Sequence, residues 1–248
     1  RRRLTAFHAD VIADMAGNDI SGLLIAFRAG RRIRPHRTAC KGFGAMYSVF
    51  AESFPPPAQG THRVDEMRGM AGFLGAQTGT VTFEMNLPAQ AADDSSDIVG
   101  RFSLRDGKVV VLNIGASRET KRWPAGHFRK LAELLVESGY RVVIAGAGAF
   151  RSDGNYDRAA SQRFFADDFV DGRRCVNLVR EGYSEPGRQL RRDAFFLRYS
   201  GVPLVTVGCD TGPMHIAGSV GEDAKRATIS LFGPTSPFRY APYDPSRG

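Results

Sequence analysis

Leu204-Val205-Thr206-Val207-Gly208-Cys209-Asp210-Thr211-Gly212-Pro213-Met214-His215 is the stretch that decides the fold. An apolar, β-branched run passes without a spacer into small and polar residues, and then into a proline. The run Leu204–Val207 predicts a strand, and Pro213 predicts the first turn of a helix reaching Val220. Asp210 or Thr211 is expected to cap that helix, and Gly212 leaves its leading amides uncovered. A helix opening at the carboxyl end of a strand offers N–H groups and the positive end of its dipole, a field that suits a diphosphate. His215 lies one helical turn on and faces the same way. A lone histidine on an apolar helix is more often a core residue, but beside Asp-Thr-Gly a ligand role is favoured.

The same rhythm continues on both sides. Val109–Asn113 is a continuous apolar strand, buried on both faces. Phe128, Leu131, Leu134 and Leu135 line a helix that stops at Gly139. Further strands are expected at Arg141–Ala145, Cys175–Leu178 and Ala227–Phe232, with helices over about Tyr156–Phe165 and Gln189–Tyr199. Alternating strands and helices imply an α/β fold with a parallel sheet, which binds ligands at the carboxyl ends of its strands. Toward the amino end, Asp10–Met15 reads as a strand. A turn at Gly17-Asn18-Asp19 follows, then a helix burying Ile20, Leu23, Leu24 and Phe27. Arg31–Arg37 reads as a basic connection and Pro55-Pro56-Pro57 as a rigid loop. Val64, Met67, Met70, Ala71 and Leu74 form a second amphipathic helix closed by Gly75. Pro88–Asp97 is small, polar and acidic without periodicity, and reads as a linker. Two domains follow: residues 1–97 including the linker, and residues 98–248.

The 248 residues carry a formal net charge of +8. A basic balance suits an anionic partner. No basic patch interleaved with aromatics is present, so nucleic acid is disfavoured against a phosphorylated substrate. No apolar run is long enough for a membrane span, and with no apolar stretch after Arg1-Arg2-Arg3-Leu4 no signal peptide is expected. Cys40, Cys175 and Cys209 are too scattered for a metal site and read as reduced thiols of a cytoplasmic protein.

Two more loops leave strand ends toward the same crevice. In Asn113–Pro124, Gly115 and Ala116 permit close approach of a ligand. Ser117 and Thr120 supply hydroxyls, Lys121 a compact positive charge, and Trp123-Pro124 starts a helix. By residue type alone, an ordinary strand-to-helix connection fits that loop equally well. Phe232-Gly233-Pro234-Thr235-Ser236-Pro237 turns after the last strand and again presents hydroxyls. Gly146-Ala147-Gly148-Ala149-Phe150-Arg151 lacks the third glycine of a dinucleotide fingerprint. It reads as a loop on which a nucleoside lies flat.

Gly-Ala-Ser…Lys-Arg-Trp-Pro, Val-Val-Ile-Ala-Gly, Val-Asn-Leu, Asp-Thr-Gly-Pro-Met-His-Ile-Ala and Leu-Phe-Gly-Pro-Thr, in this order across Val109–Pro237, resemble glycosyltransferase family 9, the ADP-heptose:lipopolysaccharide heptosyltransferases. Asp10–Gly17 and His62-Arg63-Val64-Asp65 resemble parts of that family's first domain. The resemblance implies a GT-B architecture of two Rossmann-like domains, the first incomplete. It implies an inverting, metal-independent transfer of a heptose from a nucleotide sugar, ADP-heptose, to a phosphorylated lipid acceptor of the lipopolysaccharide core. Such an enzyme works in the cytoplasm at the inner face of the inner membrane, where Arg31, Arg32, Arg34 and Arg37 would meet the acceptor, although a merely solvated basic loop fits those residues equally well. Ser117, Thr120, Lys121, Asp210, Thr211, Gly212 and His215 would bind the donor, with no cofactor.

The departures from the family are specific. Its first strand and the carboxylate general base have no counterpart, and a last helix is missing, so a truncated chain is expected. Asn113-Ile114 stands where proline is usual. The acidic residue after the second strand of the donor domain is missing, and Glu222–Arg226 reads as an insertion. The alternative is a catalytically incomplete fragment that binds nucleotide sugar.

Overall fold

The computed structural model describes residues 9–13, 29–35, 52–54, 58–81, 83, 85–116, 118–146, 160, 163–165, 174–179, 196–197, 200–219 and 226–243. The chain divides into two compact units, Arg1–Gly79 and Thr80–Gly248.

The first unit holds three parallel strands in sequence order, β1 (Ala9–Ala13), β2 (Ala29–Pro35) and β3 (Glu52–Phe54). β2 pairs with β1 from Ala9↔Ala29 and with β3 from Ile33↔Glu52. The stretch read as a basic connection is therefore the central strand of this sheet. Its charged composition hid it, because ladder pairing on both sides is a backbone property to which the arginines contribute nothing. Helix α1 (Arg63–Phe73) lies where the apolar stripe placed a helix, and its start is capped by His62, whose ring nitrogen accepts the Val64 amide at 3.1 Å. It ends before Gly75, whose φ of +91° is the left-handed turn glycine favours. Phe54 of β3 meets Phe73 edge to face at 5.8 Å. It also lies against Gly69, where an added Cβ would come within 3.2 Å of its ring.

The second unit is built on five parallel strands ordered β6-β5-β4-β7-β8. They are β4 (Val109–Asn113), β5 (Arg141–Ala145), β6 (Cys175–Asn177), β7 (Pro203–Cys209) and β8 (Ala227–Leu231). All of β4 is buried, as its apolar run predicts. Period-2 alternation splits its side chains between two cores. Val110, Leu112, Val142 and Ile144 pack with Phe128 and Ala132 of helix α3 (Ala125–Glu137) on one face. Val109, Val111 and Val143 pack with Ile98, Val99 and Leu104 on the other. Each large side chain among them contributes about 1.5–3 kcal/mol on burial. Leu134, expected on the inner face of α3, is instead 54% exposed. The buried stripe of that helix runs through Ala125, Phe128 and Ala132, with Leu131 and Leu135 at its border.

The stretch read as a linker is helix α2 (Ala89–Arg101). Its buried face is Ala91, Asp94, Ser95, Ile98 and Val99, a helical stripe made mostly of small residues. Gln90 donates to Asp94 one turn on at 3.1 Å. The periodicity was invisible because its only bulky members, Ile98 and Val99, fall just past the polar run. The units divide at Gly79/Thr80, ahead of this helix. After β7 comes a short helix α4 (Gly212–Gly218), and after β8 a single turn α5 (Pro237–Tyr240).

Several expectations lie outside the described residues. These are the Ile20–Phe27 helix, Pro55–Pro57, most of the two helices around 156–165 and 189–199, the loop beyond Gly146, and most of the 222–226 insertion. Among the described residues, no helix is long and apolar enough to cross a membrane. Cys175 and Cys209 are buried and form no disulfide among the described residues, and Cys40 lies outside them.

The end of α2 carries a specific strain. Ser103 sits at φ 48°, ψ 40°, and the Arg141 guanidinium donates to the carbonyls of Ser103 and Phe102, the latter at 2.6 Å. A left-handed non-glycine residue costs about 1–2 kcal/mol. Ser103→Gly is therefore expected to raise the melting temperature by about 2–4 °C. An unchanged or lower midpoint in a thermal melt would refute the strain.

Candidate functional site

β4, β5 and β6 step to one side of the sheet, and β7 and β8 to the other, so the order reverses between β4 and β7. At such a switch point, the loops leaving neighbouring parallel strands diverge and open a crevice. The loop after β4, the loop after β7 and the loop after β8 all lie at this end. Close backbone approach draws them together. Gly208 of β7 faces Asn113 of β4 in the ladder. A Cβ there would stand 2.7 Å from the Met214 sulfur and 2.9 Å from the Asn113 Cβ. A Cβ on Gly233 would stand 2.7 Å from the Thr120 carbonyl oxygen, so the third loop rests on the first.

Asp210 is the centre of the convergence. Its carboxylate is 6% exposed, and its Oδ2 receives the Lys121 ammonium at 2.6 Å. The same oxygen accepts the Thr235 hydroxyl at 2.8 Å. The other oxygen, Oδ1, lies 3.8 Å from Nε2 of the half-exposed His215. Lys121 sits in a single 3-10 turn, Glu119–Lys121, that points it back across the end of β7. The Trp123 amide donates to the Cys209 sulfur at 3.2 Å, pinning the end of the first loop to the last residue of β7. The Trp123 ring stacks on His127 at 5.4 Å and meets Phe128 edge-on at 4.8 Å, a packing role.

Neither Asp210 nor Thr211 caps α4 through its side chain. Thr211 occupies the cap position in an extended conformation without a side-chain cap bond. Its hydroxyl donates instead to the Cys209 carbonyl at 3.1 Å and accepts the Asn113 side-chain amide at 3.0 Å. A hydroxyl has one hydrogen, and this one is committed to the end of β7. The leading amides are also fewer than the loop suggests. Pro213 has no N–H, and those of Met214 and His215 point at the Thr211 carbonyl, at 3.1 and 3.4 Å. Ahead of Pro213 lie the amides of Thr211 and Gly212. Gly212 is exposed, and an added Cβ would meet no atom within 4 Å, so the space above it is open.

Of the expected donor-binding residues, Lys121, Asp210, Thr211, Gly212 and His215 are thus brought to one place. Thr120 is exposed on the neighbouring turn, and Ser117 lies outside the described residues. Thr235, whose hydroxyl the turn after the last strand was expected to present to this crevice, meets Asp210 there. Asn113 joins the site without having been expected in it; its signal was a polar residue closing an otherwise apolar strand. Among the described residues, no three His, Cys, Asp or Glu side chains are grouped as metal ligands.

The sequence model of the family described as glycosyltransferase family 9 (heptosyltransferase) matches residues 1–166 and 200–248. Lipooligosaccharide heptosyltransferase 2 of Haemophilus influenzae is 35% identical over 122 residues, 49% of this chain and 30% of that protein. Lipopolysaccharide heptosyltransferase 2 of Salmonella typhimurium is 32% identical over 120 residues, 47% of this chain and 28% of that protein. A glycosyl transferase family 9 structure from Veillonella parvula superposes with a TM-score of 0.68 at 18% identity, over 98% of this chain and 62% of that one. The E. coli heptosyltransferase WaaC, solved with ADP, superposes at 0.61 with 21% identity, over 98% of this chain and 66% of that one. The match spans less than a third of the curated relatives' length and less than two thirds of the Veillonella structure. The structural likeness shows the fold, a GT-B type built from Rossmann-like α/β units.

The burial of Asp210 makes the ion pair asymmetric. Removing one partner of a buried pair costs about 3–5 kcal/mol, whereas replacing both is often nearly neutral. Lys121 is 20% exposed, which moves its loss toward the lower bound. Lys121→Met is expected to destabilise the chain by about 3 kcal/mol, and Lys121→Met combined with Asp210→Asn to recover most of it. Urea unfolding of the two variants checks this; equal losses would show that the pair is not the source.

Proposed function

The chain belongs to glycosyltransferase family 9, and on that premise we propose that it transfers a heptose from ADP-heptose to a lipopolysaccharide core acceptor, with inversion and without a metal ion. The observation that carries the proposal is the meeting of Lys121, Asp210 and His215 beside the open face of Gly212, at the sheet's switch point. Support for the donor comes from the E. coli relatives solved with ADP and with ADP-2-deoxy-2-fluoro heptose. Support for the acceptor comes from the names of the lipopolysaccharide and lipooligosaccharide heptosyltransferases that the chain resembles. Action at the inner face of the inner membrane is part of the same proposal.

As the glycosidic bond to the diphosphate lengthens, negative charge grows on the leaving oxygen. Groups already aimed at that position stabilise the transition state more than the ground state. In the proposed roles, the Lys121 ammonium and the His215 ring N–H face the diphosphate, with the Thr211 and Gly212 amides beneath it. A full unit of charge developing about 4 Å from an ammonium at an effective dielectric of about 20 would be stabilised by about 4 kcal/mol, an upper bound of roughly a thousandfold in rate, of which the Asp210 carboxylate offsets part. That is why one well-placed ammonium can serve where other transferases use a divalent ion. Asp210 does not touch the ligand in this scheme; it holds Lys121 in place. Thr211 likewise contributes its amide rather than its hydroxyl. Thr120 and Ser117 remain proposed contacts on the flanking turn.

Gly212 gives the cleanest test, because no described residue would meet a Cβ placed there. ADP at a hundredfold excess over its Kd would stabilise the chain by about 2.7 kcal/mol, a rise in midpoint of about 5–10 °C. Gly212→Ala is expected to leave the ligand-free midpoint unchanged while removing most of that rise, and Lys121→Ala to remove it entirely. No ADP-dependent rise at millimolar ligand would sink the donor site. Turnover is read separately, from product formed out of ADP-heptose and a lipid A–Kdo acceptor.

A further inference from the structure

Asp210 Oδ2 is shared by two donors, the Lys121 ammonium at 2.6 Å and the Thr235 hydroxyl at 2.8 Å. We infer that Thr235 is a positioning residue that keeps part of the Lys121 ammonium free of Asp210 and available to an anionic ligand. The inference rests on the donor-site reading above and adds to it the group that regulates its charge.

The argument is one of lone pairs. A carboxylate oxygen has two acceptor sites, and on Oδ2 one goes to Lys121 and the other to Thr235. The Thr235 hydrogen bond also draws charge from that oxygen, so the ammonium is held less tightly than by a lone carboxylate. An ammonium has three N–H donors. With Oδ2 saturated and Oδ1 on the His215 side, a single N–H suffices for Asp210 and two remain for phosphate oxygens. Without the Thr235 hydroxyl, the carboxylate can rotate about its broad terminal torsion and grip the ammonium with both oxygens. The cation would then be neutralised from within the protein.

The loop that carries Thr235 is placed for this task. Gly233 lies so close to the Thr120 carbonyl that a Cβ would stand 2.7 Å from its oxygen. Thr120 directly precedes Lys121. The two residues that share Oδ2 thus come from loops registered on each other, and their spacing about Asp210 is set by backbone contact.

The test measures dissociation constants for ADP and for adenosine by calorimetry, on the native chain and on Thr235→Val, Thr235→Ser and Gly233→Ala. Valine keeps the shape of threonine and removes the hydroxyl. Thr235→Val is expected to weaken ADP about tenfold, the scale of one hydrogen bond to a charged group, while leaving adenosine and the ligand-free melting temperature unchanged. Thr235→Ser restores ADP binding, and Gly233→Ala, which lifts the loop off Thr120, reproduces the valine variant's selective loss. Unchanged ADP affinity in Thr235→Val overturns the inference, as does an equal loss for ADP and adenosine, which would mark a merely structural role. If the native chain binds no ADP, the donor-site reading fails and takes this inference with it.

Discussion

The ion pair between Lys121 and Asp210 closes a separation of 89 residues in sequence, and the working end of the second unit is arranged around it. Asp210 is nearly removed from water, and a buried carboxylate must be compensated. That requirement forces the loop after β4 to fold back over the end of β7, brings the 3-10 turn at Glu119–Lys121 into place, and draws the last loop in through Thr235. The cost of burying one charge thereby becomes the constraint that fixes three loops at once.

Such a pair can exist here because the sheet is parallel and changes direction between β4 and β7. Parallel strands deliver their following loops to one edge, and the switch leaves room between those of β4 and β7. Close packing then sets the fine spacing. Gly208 lets β7, β4 and α4 approach beyond what any side chain would allow, and Gly233 does the same for the two outer loops. Gly212 differs from both: no described residue would meet a Cβ there within 4 Å. The site therefore combines glycines that the described residues crowd and one that they leave clear.

The elements legible in the chain were those whose signal is local and strong. Val109–Asn113 is apolar at every position but the last and is buried throughout. Gly75 marks the end of α1 by its left-handed turn; the cap at the start, the His62 ring nitrogen, came only from the structure. The elements that were missed lack such a signal. β2 carries arginines at three of its seven positions, and its place in the sheet comes from partners on either side. α2 buries Ala91, Asp94 and Ser95 beside Ile98 and Val99, and only the last two carry a bulky apolar signal; both join Val109, Val111 and Val143 of the sheet in one core.

For the site, the sequence alone determined which loops leave the strand ends at this edge and which of their residues could bear charge, because glycine, proline and the switch from strand to helix act within a few residues of themselves. It could not determine who pairs with whom. Asp210 and Thr211 read as helix caps by their position, yet Asp210 faces Lys121 and Thr211 faces Asn113 and the Cys209 carbonyl. Those partners come from other strands, and only the assembled sheet brings them within reach. Local rules choose the backbone; the allocation of each hydrogen bond waits for tertiary packing, since a polar group satisfies itself with whatever donor or acceptor the fold carries closest.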